Sequence, residues 1–137
     1  MRVVVDTNVF VSGVFFGGTP GRVLAAWRDG TIEVVVSREI IEEYVRVGDE
    51  LSARFPAVDL GPALDLVSAC ATMVAAPPLP EPVCSDPDDD KFLACAIAAG
   101  ATYVVSGDRG LLAASPYQQV TVVRPRELVD RLTRRED

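Results

Sequence analysis

DPDDDKFLACAIAAGATYVVSGDRGLL, residues 86–112, carries the fold in one run. Asp88, Asp89 and Asp90 open what reads as a helix, apolar on every side from Phe92 to Ile97 and stopped by Gly100. A helix apolar all round is buried on several sides. Thr102–Val105 then reads as a strand, Ser106-Gly107-Asp108 as a loop, and Leu111–Ala114 as a short helix. Helix, strand and helix in such close succession belong to a mostly parallel sheet covered on both faces.

The flanking sequence repeats the alternation. Val3–Val5 is a short β-branched run ending at Asp6, a buried first strand. Gly17-Gly18-Thr19-Pro20 is a loop, with Thr19 as N-cap and Pro20 at the first position of a helix bearing Val23, Leu24 and Trp27. Ile32–Val36 is the second strand, and Ser37 caps a helix to about Val47 that buries Ile40, Ile41, Tyr44 and Val45. From Asp49 to Thr72 the chain reads as helical with breaks at Pro56 and Gly61-Pro62. Met73–Ala76 reads as a short strand and 77–87 as an irregular loop. Val120–Val123 is the last strand and Pro125 starts a C-terminal helix. Residues 1–137 thus read as a single α/β domain.

Composition narrows the chemistry. Hydrophobic residues make up 49% and charged residues 24%, the balance of a soluble globular protein. Neither a signal peptide nor an apolar run long enough for a membrane span is visible, so a cytoplasmic location is expected. Cys70, Cys84 and Cys95 lack C-x-x-C spacing and read as reduced, mostly buried thiols. There is no histidine, which removes Ser-His triads, histidine bases and His-bound zinc together. The net charge of −7 argues against broad DNA binding. Acids gathered around metal ions, however, count as negative in a sequence and are neutralised once the ions bind. Five of the twelve arginines lie at or after Arg124, a basic stripe that reads first as a solvated helix face.

Ligands of parallel α/β sheets sit beyond the carboxyl ends of the strands, near the point where strand order reverses. Asp6 ends the first strand and Asp108 closely follows the fourth. Each alone would pass as a turn or capping acid. Asp90 would favour its helix dipole by about 0.3–1 kcal/mol. Four acids, Asp86, Asp88, Asp89 and Asp90, are harder to account for, since like charges at 4 Å repel by about 4 kcal/mol near a protein surface. Asp90, next to the buried segment, is the expected ligand, and replacing it by Asn is expected to leave the metal-free protein as stable or more so. Glu43 projects beside Ile40 and Val47 at the edge of the apolar arc, on a helix that starts at the same sheet edge. Oxygen-only donors select hard cations, Mg²⁺ or Mn²⁺. Such ions suit phosphodiester cleavage.

These residues resemble the PIN-domain ribonucleases and, within them, the VapC-like toxin components of toxin–antitoxin pairs. VVVDTNVFVSG looks like the family's opening strand and first acid, Asp6; SREIIEEY like the helix of its glutamate, Glu43. DPDDDKFLACAIAAGATYVVSGDRGLL looks like the segment of its third and fourth acids, Asp90 and Asp108. The resemblance implies a three-layer α/β/α sandwich on a five-stranded, mostly parallel sheet. It implies Mg²⁺- or Mn²⁺-dependent cleavage of single-stranded RNA, a homodimer, and a small antitoxin protein that blocks the site. Asp6, Glu43, Asp90 and Asp108 would be both catalytic and metal-holding, with Thr7, Asn8 and Ser106 in support. Gly110 stands where many relatives carry another acid.

Two other functions compete. Asp6 could be the nucleophile of a phosphatase or phospho-acceptor domain, although the second acid such phosphatases place two residues on is here Asn8. The acid pocket could also belong to a non-catalytic binding module.

Overall fold

The computed structural model describes residues 1–136, with side chains through residue 134. Five strands, β1 (Arg2–Val5), β2 (Glu33–Val36), β3 (Thr72–Met73), β4 (Tyr103–Val105) and β5 (Thr121–Val123), form one sheet in the order β3-β2-β1-β4-β5. All four pairings are parallel. Helices cover both faces: α1 (Thr7–Phe15), α2 (Gly18–Arg28), α3 (Arg38–Arg54), α4 (Gly61–Cys70), α5 (Asp90–Ala99), α6 (Arg109–Ala113) and α7 (Pro125–Glu136). This is the expected α/β class and sheet. The side chain of Arg135, part of the basic stripe, lies outside the described residues.

Apart from the edge strand β3, the strands are β-branched runs buried on both faces, and Val3, Val4, Val5, Val34, Val35, Val36, Val104 and Val105 have no exposure. A fully buried valine side chain contributes about 1.5–3 kcal/mol over an exposed one, so these short strands need no alternation to hold. Arg2 on β1, Glu33 on β2 and Thr72 on β3 link across the sheet. Arg2 Nε donates to Glu33 Oε1 at 3.0 Å and the Thr72 hydroxyl to Oε2 at 2.8 Å.

Four details correct the sequence reading. Residues 7–15, between β1 and the glycine loop, are a helix that the sequence pattern does not announce. The cap of α2 is Gly17 rather than Thr19. α3 runs to Arg54, well past Val47. Gly61-Pro62 begins α4 instead of breaking a helix, since Pro62 sits where its missing N–H is no loss. Two burial expectations also shift: Val45 is 38% exposed, past the edge of the apolar stripe, and Cys70 is exposed while Cys84 and Cys95 are buried. α1 and α2 approach closely at Gly13, where a Cβ would stand 2.7 Å from Leu24 and 2.9 Å from the Pro20 carbonyl. Among the described residues no single helix is long and apolar enough to cross a membrane.

Candidate active site

Sheet order reverses between β1 and β4. β1 continues outward to β2 and β3, and the chain then returns to lay β4 on the other side of β1. Val5 pairs with Val105, so the next residue of each strand, Asp6 and Ser106, leaves the sheet at one edge side by side. The fully buried Ser106 hydroxyl donates to Asp6 Oδ2 at 2.6 Å. The Ser106 hydroxyl oxygen in turn accepts the Asp108 amide at 2.9 Å. The Asn8 amide donates to Asp6 Oδ1 at 3.4 Å, which places Asp6 at the N-cap of α1.

Asp6 is 4% exposed. Burial pushes its carboxyl above the ordinary range; the bonds from Ser106 and Asn8 oppose that push, and the charges of Asp108 and Glu43 add to it. Asp108 caps α6 by accepting the Leu111 amide at 3.0 Å. Its capping role is therefore real, and it coexists with its place beside Asp6.

Glu43 reaches the same edge from α3, whose first turn is fixed by the Ser37 hydroxyl accepting the Ile40 amide. The Thr7 hydroxyl donates to Glu43 Oε1 and the Lys91 ammonium to Oε2 at 2.6 Å. Behind this pair the Tyr44 hydroxyl donates to the Val5 carbonyl, and its ring stacks on Phe10 at 4.3 Å, locking α3 against β1 and α1. Thr7, Asn8 and Ser106 thus all touch the acids.

The aspartate run divides in an unforeseen way. Asp90 accepts the Val83 amide at 3.1 Å through Oδ2 and the Cys84 amide at 2.8 Å through Oδ1. These bonds outweigh burial and hold its carboxyl below the ordinary range. Asp89 is the residue of the run that faces the other acids. Burial, then the charges of Asp108, Asp86 and Asp6, push its carboxyl up to about 7, and a hydrogen bond with Asp108 adds to the rise. A Cβ built on Gly110 would lie 3.1 Å from Asp108 Oδ2 and 3.9 Å from Asp89 Oδ2, so both acids border the space above Gly110.

The sequence does not show that Asp89, rather than Asp90, faces the other acids, since nothing in a row of three aspartates distinguishes it. Sequence reasoning also passed over Lys91, whose signal was legible: the chain's only lysine, in the first turn of an otherwise apolar helix.

Asp6, Asp89 and Asp108 have no Lys or Arg partner among the described residues. Asp6 is buried and Asp89 and Asp108 are half-buried; like charges so placed without a counter-ion are costly, and a cation relieves the cost. The described side chains do not yet form a closed cage, since no three acids or thiols converge at ligating distance among them. The donor chemistry nevertheless fits a hard divalent ion. All donors are carboxylate oxygens, and burial first, with neighbouring acids, raises the nearby Cys84 thiol to about 12, which keeps it protonated and a poor ligand. An open groove of about 560 Å³ runs beside Asp108 and is lined by Asn8, Ser12 and Arg109.

Comparison with known families gives one match: a sequence model described as PIN domain covers residues 2–110. Comparison with curated proteins found no matching relative.

Proposed function

The chain belongs to the PIN domain family, whose members are in general nucleases that use divalent metal ions; from that premise we propose that it is a Mg²⁺- or Mn²⁺-dependent endoribonuclease cleaving single-stranded RNA. The observation that carries this reading is the meeting, without a Lys or Arg partner among the described residues, of buried Asp6 with half-buried Asp108 and Asp89 at the switch point. These three would hold the ion. Glu43, held by Thr7 and Lys91, closes the acid set from α3, while Asp90 shapes the loop that presents Asp89. When bound, the ion would orient a water, lower its pKa and stabilise charge on the leaving oxygen.

The rest is the work of the chain's own residues. Ser106 and the Asn8 amide fix both oxygens of Asp6, so the carboxylate is oriented before anything binds. The groove beside Asp108 offers the Arg109 guanidinium to a phosphate and the Asn8 and Ser12 side chains to sugar or base. An aspartyl-phosphate mechanism is not favoured: both Asp6 oxygens already accept hydrogen bonds, and Asn8 replaces the second acid it would need.

Cleavage of a fluorogenic single-stranded RNA is expected to stop in excess EDTA and to return with Mg²⁺ or Mn²⁺. Asp6→Asn is expected to lower the rate by a factor of about 100 or more, roughly 2.7 kcal/mol of transition-state stabilisation. Undiminished cleavage in EDTA overturns the reading.

We place this nuclease, as a single domain over residues 1–137, in the cytoplasm as the toxin of a toxin–antitoxin pair, inhibited by a small antitoxin covering the acids with basic or apolar groups. The resemblance to VapC-like toxins supports this role. A short adjoining reading frame whose product abolishes cleavage is the expected finding; without one, the toxin role falls and the nuclease remains.

A further inference from the structure

Lys91 is the second residue of α5, and everything after it to Ala99 is apolar. Its side chain is 15% exposed. The ammonium reaches across to α3 and meets Glu43 Oε2 at 2.6 Å. It also meets Asp88 Oδ2 at 2.9 Å and donates to the Asp88 carbonyl at 3.0 Å. An ammonium carries three donors, and here each finds an acceptor. A largely buried ion pair is retained only where such bonds offset the loss of hydration. Lys91 is therefore held in place and does not sample the surface freely.

The consequence is uneven neutralisation. Glu43 has an intrinsic cation at 2.6 Å, with Arg46 a further one at 3.5 Å. Asp6, Asp89 and Asp108 have none among the described residues. We infer that Lys91 is a positioning residue that stands in for a second divalent ion: its ammonium saturates Glu43 and confines the site to one ion, on the side of Asp6, Asp89 and Asp108. A divalent ion placed on Glu43 would face that ammonium across a single carboxylate, with twice the repulsion of two unit charges. On the opposite side Gly110 adds no further carboxylate to the space bordered by Asp108 and Asp89. The inference rests on the metal site proposed above.

The test counts ions. Mn²⁺ titration of the full chain, followed by electron paramagnetic resonance of the free ion, is expected to give about one bound Mn²⁺ for the wild type and about two for Lys91→Met. Lys91→Arg, which keeps the charge, is expected to stay at about one. Two ions on the wild type, or an unchanged count and affinity in Lys91→Met, overturns the inference. Where Lys91→Met does not fold, Glu43→Gln decides: Mn²⁺ affinity within about threefold of wild type supports it, and a loss beyond about tenfold, the scale of a removed ligand or its support, overturns it. A wild type that binds no Mn²⁺ removes the metal site itself, and this inference with it. Mn²⁺ binding without RNA cleavage removes only the ribonuclease reading.

Discussion

Asp89 and Asp90 are adjacent in the chain, yet one carboxylate is crowded by acids and the other is cradled by amides. The difference comes from the loop before them, which turns the Val83 and Cys84 amides onto Asp90 and leaves Asp89 toward Asp108. The stability gain expected for an amide replacement therefore belongs to Asp89. In metal-free buffer at neutral pH, Asp89→Asn should melt at or above the wild-type temperature. Asp90→Asn gives up a charge-assisted bond and should lose about 1–2 kcal/mol. Paired thermal melts decide, and the reverse order would show that Asp90 is the crowded acid. That Asp6 and Asp108 lie at one sheet edge was readable because a strand's end fixes where the residues just after it sit. The choice within a run of three aspartates was not, since it depends on amides that only the folded loop supplies.

At the scale of elements, the strand edges are tied by polar pairs as well as by valines. Glu33 accepts from Thr72 and from Arg2, and these bonds, the Thr72 hydroxyl foremost, hold its carboxyl below the ordinary range. A depressed carboxylate stabilises the fold above its unfolded value of about 4.5 and loses that contribution as pH falls through the lower folded value. Wild type should thus exceed Glu33→Gln in urea melts near neutral pH, with the gap closing as pH falls from about 5 to about 3. Because Glu33 is 39% exposed, the gap should be under about 1 kcal/mol. A gap independent of pH would show that the carboxylate's charge is not what ties the strands. The same scale marks where sequence reading failed. In TNVFVSGVF, residues 7–15, valine and phenylalanine favour a strand, while the helix is imposed by Asp6 capping it and by packing on α2 through Gly13. β3, read as Met73–Ala76, is formed by Thr72–Met73 instead, while the remaining strands and most helices were legible because their apolar periods and punctuating Gly and Pro agree with their tertiary setting.

For the whole molecule, few large apolar side chains are left exposed among the described residues. Phe16 is 63% exposed and Met73 60%, with Phe16 set edge-on to Phe55 at 5.3 Å. Phe15, its neighbour in the chain, is buried. An exposed aromatic seated on a second aromatic suits a self-complementary contact, and we propose a homodimer through Phe16 and its surroundings on Phe55. Light scattering at micromolar concentration should give twice 14.7 kDa, and Phe16→Ser should shift the protein toward monomer. A wild-type monomer refutes it. The strand order has its own bearing on how the protein comes into being. Asp6 is made early and its partner Ser106 a hundred residues later, and β4 takes its place beside β1 only after β2 and β3 have been synthesised. A ribosome-bound chain whose residues 103–108 have not yet emerged holds Asp6 without Ser106 or Asp108. The acid constellation is thus assembled only once residues 103–108 are free of the ribosome.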